Sequence, residues 1–290
     1  MILTNHINGN AHVVIHDDGT RIIECENDLQ LEYPLNVDIR VSTACSLGFN
    51  PKTGKAICAF CHESARVDGD ECDYRLLKEK VLELPMGTEL AIGGNRLTPG
   101  LTDFLIWATM QGYICNLTVN QLHMGREQEK LKSLLETKTF RGLGISYRKD
   151  YPLNVPEYFI EHPNVVLHVI AGIDEVDDIL RLPFKKVLVL GYKTFGFGKE
   201  YYSEEVENNL ERWRWWVSKL FEGRVVSFDN LSVEQLRIKR FFTKENWQSF
   251  YQGEHSFYID AVAGQFAPSS RSPERTKWDI PIIDYFKRLQ

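Results

Sequence analysis

Cys45, Cys58 and Cys61 are the residues of this 290-residue chain whose type and spacing point most directly to chemistry. Three thiolates can hold a four-iron cluster by three of its corners. Clusters held by cysteine alone normally use four, so a set of three leaves one iron open to a small molecule that could receive an electron there. The same trio with His62 as fourth ligand makes a tetrahedral zinc set. Spacing alone leaves both readings open, because the first gap of twelve residues is wide for either.

The elements around the cysteines must bring them together. Residues 37–43 alternate apolar and polar, the pattern of a half-buried strand, with Cys45 just past its end. Asn50, Pro51 and Gly54 mark a hairpin-like excursion that can return the chain, and Cys58-Ala59-Phe60-Cys61 bends two sulfurs toward a common point. Downstream, Glu89-Leu90-Ala91-Ile92 is a short strand ending in Gly93-Gly94. Leu101, Phe104, Leu105 and Ala108 then form one face of a helix, and a further strand ends in Thr118-Val119-Asn120-Gln121.

With these segments in this order the chain resembles the radical S-adenosylmethionine (radical SAM) superfamily, most closely small members from bacteria and their viruses. The likeness spans residues 36–195 and, more loosely, the tail around 257–262. Two positions depart from the superfamily pattern. The usual Cys-x-x-x-Cys-x-x-Cys is widened at its first gap, and the Gly-Gly-Glu-Pro motif appears as Gly93-Gly94-Asn95-Arg96.

Strands are predicted near 37–43, 88–92, 113–119, 141–147, 164–170 and 186–191. Helices are predicted near 73–84, 100–111, 126–137, 155–160, 174–181 and 203–221. Six such units give an α/β fold, expected as a partial (β/α)6 TIM-like barrel with its chemistry at the C-terminal ends of the strands. Residues 1–35 form an N-terminal β-hairpin cap turning at Asp17-Asp18-Gly19-Thr20. Residues 36–222 form the barrel core, and 223–290 a C-terminal extension whose polar loop at 264–273 is a candidate substrate lid.

The resemblance implies a radical SAM enzyme. Cys45, Cys58 and Cys61 would bind a 4Fe-4S cluster and S-adenosyl-L-methionine would chelate its open iron. Reductive cleavage would then give a 5′-deoxyadenosyl radical that abstracts hydrogen from a substrate not named by the sequence. A SAM pocket needs a cation, carbonyls, hydrogen-bonding groups and an apolar wall. The expected cofactor contacts are Gly93, Gly94 and Asn95, with Asn120 and Ser146 at strand ends, Arg148 for the carboxylate, Gly172 beside the adenine, and Phe60. A low-potential electron donor of the flavodoxin or ferredoxin type is implied as partner. The alternatives are a zinc-stabilised binding protein on Cys45, Cys58, Cys61 and His62, and a degenerate barrel without catalysis.

Composition fits an enzyme in the cytoplasm. With 43% hydrophobic residues there is ample core material, and no membrane partner is expected because the N-terminus carries no long apolar run. A net charge of −6 advertises no nucleic-acid field. Six cysteines in a reducing compartment point to metal rather than disulfides, and Cys115, in an apolar strand, is expected in the core. Within Arg212-Trp213-Arg214-Trp215-Trp216, Trp213 and Trp216 are expected to face the core with Leu210, Val217 and Leu220 instead of stacking on bases. Gly196-Phe197-Gly198-Lys199 lacks the spacing of a phosphate loop. Asp260, His255 and Ser269 are candidate substrate contacts.

Overall fold

A computed structural model of the chain describes residues 1–93, 96–248 and 255–290. The chain opens with a three-stranded antiparallel sheet of β1 (Ile2–Asn8), β2 (Ala11–His16) and β3 (Arg21–Glu24). The expected hairpin is its second half, turning where Gly19 takes φ 87°. Next come β4 (Asn36–Arg40) and a separate two-stranded ribbon, β5 (Ala44–Asn50) with β6 (Lys55–Ala56).

From there strands and helices alternate: α1 (Tyr74–Val81), β7 (Glu89–Gly93), α2 (Pro99–Met110), β8 (Ile114–Asn120), α3 (Gln121–Glu136), β9 (Gly142–Ser146), α4 (Glu157–Glu161), β10 (Val165–Ile170), α5 (Val176–Arg181), β11 (Lys186–Leu190), α6 (Phe197–Tyr201), α7 (Glu204–Trp216) and β12 (Val225–Phe228). The tail adds β13 (Ser256–Asp260), β14 (Gln265–Ala267) and β15 (Thr276–Lys277).

One ten-stranded sheet, in the order β12-β11-β10-β9-β8-β7-β4-β13-β14-β15, organises the fold. Each pairing from β12 through β13 is parallel and only the β13–β14 and β14–β15 pairings are antiparallel, so the sheet is mostly parallel, and among the described residues its ends at β12 and β15 are not joined. The α/β class and the six expected strands are present. The sequence reading stopped one strand short: β12, only four residues long and with alternate residues exposed, extends the parallel run. The tail strand β13 pairs with β4 in the same sheet.

Helices start where side chains cap them. Asp73 accepts from the Arg75 and Leu76 amides, Thr98 from Leu101 ahead of Pro99, and Asn120 from Leu122. Right-handed crossovers between successive parallel neighbours place these helices on one face of the sheet. That face is apolar: Val37, Ile39, Leu90, Ile92, Leu117, Leu143, Leu167 and Val189 are buried with Leu77, Phe104, Leu131 and Leu210 of the helices. Cys115 is buried among them as expected.

Parallel strands covered on both faces read as continuous apolar runs. These alternate instead, and their second face carries Asp38, Arg40, Glu89, Asn116, Thr118, Asn120, Ser146, His168 and Lys186. Six adjacent strands, β7 to β12, line a single cavity with that face, so the sheet curves around it. None of the described helices is long and apolar enough to cross a membrane.

Trp213 is fully buried and donates from Nε1 to the Asp174 carbonyl at 2.6 Å, whereas Trp216 is 46% exposed, contrary to expectation. Trp216 is the last residue of α7, and the 3-10 turn that follows at Val217–Phe221 buries Val217 and Leu220 in its place.

Asp174 lies under α7, with Oδ2 accepting from the Ile170 amide at 2.7 Å and Oδ1 without a partner. Burial pushes its carboxyl up to about 7, against a lowering by the Ile170 amide and Arg148. A carboxyl raised on folding stabilises the fold fully below its ordinary value and loses that contribution as pH rises through the folded value. Asp174→Asn keeps the acceptor and is expected to stabilise the protein by about 1–3 kcal/mol at pH 8. Urea unfolding at pH 8 and pH 4 checks this, the difference vanishing at the lower pH.

Candidate active site around three cysteines

Cys45 lies inside β5, not at the end of the preceding strand. The ladder of β4 stops at Arg40, and the Ser42 hydroxyl then accepts from the Ala44 amide at 2.9 Å, redirecting the chain into the ribbon. At its tip Asn50 accepts from the Lys52 amide at 2.9 Å and Gly54 takes φ 66°, the turn chemistry seen in the sequence. β6 returns with Phe49 opposite Ala56, and the Cys58 amide donates to the Leu47 carbonyl at 2.9 Å. A β-ribbon therefore absorbs the twelve-residue gap and brings Cys58 back beside the strand that carries Cys45. Cys61 follows through a turn closed by its amide on the Cys58 carbonyl at 3.1 Å.

The three thiols interact. Burial is the largest cause raising each of them, and like-charge proximity adds to it: Cys61 acts on Cys45, and both act on Cys58, whose thiol is pushed up to about 11. Each sulfur also has its own donors opposing that rise. These are the amides of Leu47 and Gly48 on Cys45, those of Glu63 and Ala65 on Cys61, and Arg148 Nη1 at 2.8 Å on Cys58. Such donors stabilise thiolates, but ionising three crowded sulfurs together needs a bound cation.

Among the described residues no three His, Cys, Asp or Glu side chains converge to hold one metal ion. The His62 ring is turned away to Glu63 Oε1 at 3.1 Å and Lys193 Nζ at 3.2 Å. Zinc requires its ligands at bonding distance from one point.

The other expected contacts fall around this centre unevenly. Arg148 is 5% exposed: its guanidinium bonds Cys58, the Ile57 carbonyl at 3.2 Å and Asp150 at 3.2 Å, and lies over the Phe60 ring at 4.8 Å. Gln121 fixes its backbone through both amide and carbonyl. Arg148 is thus a clasp on the cysteine loop. Phe60 also packs edge-on to Tyr201 at 5.8 Å. Asn120 uses its carbonyl oxygen as the cap of α3, and Ser146 ends β9 half-buried.

Gly93 ends β7 in the open, with nothing within 4 Å of an added Cβ; Gly94 and Asn95 lie outside the described residues. Gly172 has φ +95° and its Cβ direction meets Val206 and Leu210 of α7 at 3.1 and 3.2 Å, a packing reason for glycine there.

Sequence reasoning missed a charged network beside the loop. Arg40 on β4 pairs with Glu63 at 2.9 Å and with Asp260 of the neighbouring β13 at 3.0 Å, and Tyr258 donates to Glu63 at 3.3 Å. Lys193, after β11, joins His62 to Ser270 Oγ at 3.1 Å. The register Tyr258↔Asp38 and Asp260↔Arg40 places these groups on the polar face. Burial raises Asp38 to about 6, Lys193 opposing and Asp229 and Glu63 adding to the rise. The loop at 268–275 is tied across this network by Lys193 on Ser270 and by Arg275, which bonds the Ser270 carbonyl at 3.2 Å and stacks on Tyr258 at 5.2 Å. The visible signal was Asp38-x-Arg40 recurring in phase with Tyr258-x-Asp260.

No protein-family model matches the chain, and no curated protein matches it in sequence.

Gly196 locks the arrangement from below. It adopts φ 57°, ψ −144°, and an added Cβ would lie 2.3 Å from the His62 carbonyl oxygen, while the next amide, of Phe197, donates to the Cys61 carbonyl at 3.1 Å. Gly196→Ala is expected to cost about 2–3 kcal/mol. Gly19→Ala, at a turn with open space, is expected to cost about 1 kcal/mol or less. Urea titrations of both variants check the contrast, and equal losses would remove the role given to Gly196.

Proposed function

We propose that this chain is a radical SAM enzyme built on an incomplete β/α barrel, acting in the cytoplasm, where its six free thiols persist. The observation that carries the reading is the set of three interacting, part-buried thiols, each with its own hydrogen-bond donors, at the C-terminal end of a parallel sheet beside a polar network. In sheets of this kind chemistry gathers at that end. When bound, a 4Fe-4S cluster and S-adenosylmethionine would supply a one-electron cleavage that ends in removal of a substrate hydrogen atom.

The chain's own residues do the rest. Cys45, Cys58 and Cys61 would hold the cluster, and the amides of Leu47, Gly48, Glu63 and Ala65 with Arg148 would stabilise the thiolates. Phe60 gives a wall, and Asn120 and Ser146 give hydrogen-bonding groups at strand ends. Arg40, Glu63, Lys193 and Asp260 form a fixed set of charges that can orient a polar substrate, and the loop at 268–275 covers them and limits water. A flavodoxin- or ferredoxin-type donor would deliver the electron.

Anaerobic reconstitution with iron and sulfide, followed by dithionite and S-adenosylmethionine, tests the reading by mass-spectrometric detection of 5′-deoxyadenosine. The expected outcome is a brown protein that forms this product, with Cys45→Ala dropping both iron content and product to background. A colourless protein carrying zinc would replace the reading with a structural site. Iron retained without product would make the chain a barrel that has lost its chemistry.

A further inference from the structure

A second face of the molecule lies away from the cysteines. Helix α7 starts beyond the C-terminal end of β11 and leads back to the start of β12, where Val225 stands beside Lys186 at the opposite end of the sheet. Its last residues are Trp215 and Trp216. With Trp216 in the core, no platform for bases would exist there; it is instead 46% exposed, and Trp215 is 71% exposed. Among the described residues neither indole packs on another aromatic ring or under a cation. Phe221 and Phe241 extend the patch, 38% and 37% exposed with their rings edge-on at 5.7 Å. Single exposed apolar residues need no explanation, whereas a group of large rings on one face marks an interaction surface.

The same face is basic. Residues 236–244 carry Arg237, Lys239, Arg240 and Lys244 and no carboxylate, in a chain of net charge −6. Glu234 and Glu245 bracket the run, which stays net positive. All four cationic side chains are exposed, and none is ion-paired among the described residues. Arg240 ties the run to the tryptophans: its guanidinium donates to the Arg214 carbonyl, one residue before Trp215, and lies over the Phe241 ring at 4.7 Å. Arg237 holds a left-handed backbone, φ 54° and ψ 45°, which glycine or asparagine adopts at lower cost, so a charged side chain stands there against the local preference. The cations on and just after α7 are neutralised in place: Arg212 pairs with Asp177, Arg214 with Glu207 at 3.2 Å and Lys219 with Glu222 at 3.5 Å. The surplus positive charge therefore belongs to residues 237–244.

Flat rings beside cations match the two parts of an unpaired strand, whose bases stack on the rings while its phosphates meet the cations, whatever the sequence. A duplex keeps its base faces inside its own stack. An acidic electron donor does not fit this face, because it must approach the cysteines at the other end of the sheet.

We infer that the face formed by Trp215, Trp216 and the cations of residues 237–244 binds single-stranded nucleic acid. Fluorescence anisotropy of the full chain with fluorescein-labelled oligothymidylate about 20 nucleotides long, and in a separate arm oligouridylate of the same length, tests this at about 50 mM salt. Saturable binding at micromolar concentration is expected in at least one arm, and the tighter arm tells DNA from RNA. Trp215→Ala and Trp216→Ala, both at exposed positions, are each expected to weaken it about fivefold or more, the loss of one stacked base. Lys239→Gln combined with Lys244→Gln is expected to flatten the slope of log affinity against log salt by about 1.4, the share of two phosphate contacts on a single strand. No saturable binding in either arm, or tryptophan variants that bind as the parent does, would overturn the assignment. So would poly-glutamate or phosphatidylglycerol vesicles displacing the labelled strand as well as the unlabelled strand does, or a tryptophan-dependent dimer in sedimentation velocity in place of strand binding.

Discussion

Everything at the candidate site depends on the cysteine ribbon folding back and being pinned there. β5 and β6 return the chain to the level at which it left, and three independent contacts hold the returned loop. The Cys58 amide is bonded to Leu47, the Phe197 amide to the Cys61 carbonyl, and the Arg148 guanidinium to Cys58 and Ile57. These contacts come from the ribbon itself, from the segment after β11 and from the segment after β9. The sheet's register therefore determines where the thiols stand. Burial raises the thiols, with neighbouring sulfurs adding to the rise of Cys45 and Cys58, and the donors around each sulfur lower them. Burial prevails in that opposition, so the net shift of each thiol is upward and favours the neutral form.

The second organising fact is the polarity of one sheet face. Helices cover the apolar face, and the opposite face carries side chains that a packed core would reject. Curving that face inward makes a chamber whose two ends differ. Toward the C-terminal ends lie formal charges in close pairs, among them Arg40, Glu63, Asp260 and Lys193. Toward the N-terminal ends the glycines of β9 and uncharged groups such as Asn116 and Thr118 stand among charged side chains that include Glu89, Arg141 and Lys186. One strand alternation thus places both environments on the same face of the sheet.

Much of this was legible in the chain. The period-two alternation of residues 37–43, the short strands at 89–92 and 113–119 and the one-sided helix at 101–108 gave elements of the sheet in order. Asn50 and Gly54 marked the ribbon turn for a local reason, side-chain capping and a left-handed backbone. Other features have no local signature. Cys45 sits within a strand because Ser42 redirects the chain, a bond that looks like any serine in sequence. Arg148 was legible as a cation near the site, but its partner is a thiol 90 residues away. Trp216 is exposed at the last position of α7, whereas Val217 and Leu220 of the turn that follows are buried. The network of Arg40, Glu63 and Asp260 depends on β13 entering the sheet beside β4, a pairing set by topology across more than 200 residues.

The proximity of the three sulfurs can be measured without loading any metal. Treating the reduced, folded protein with dibromobimane, a short reagent that bridges neighbouring thiols, and mapping the linked peptides by mass spectrometry reads their proximity directly. Links joining Cys45 to Cys58 or Cys61 are the expected result. A map containing Cys58–Cys61 links alone, with Cys45 alkylated singly, would contradict the fold-back on which the site rests.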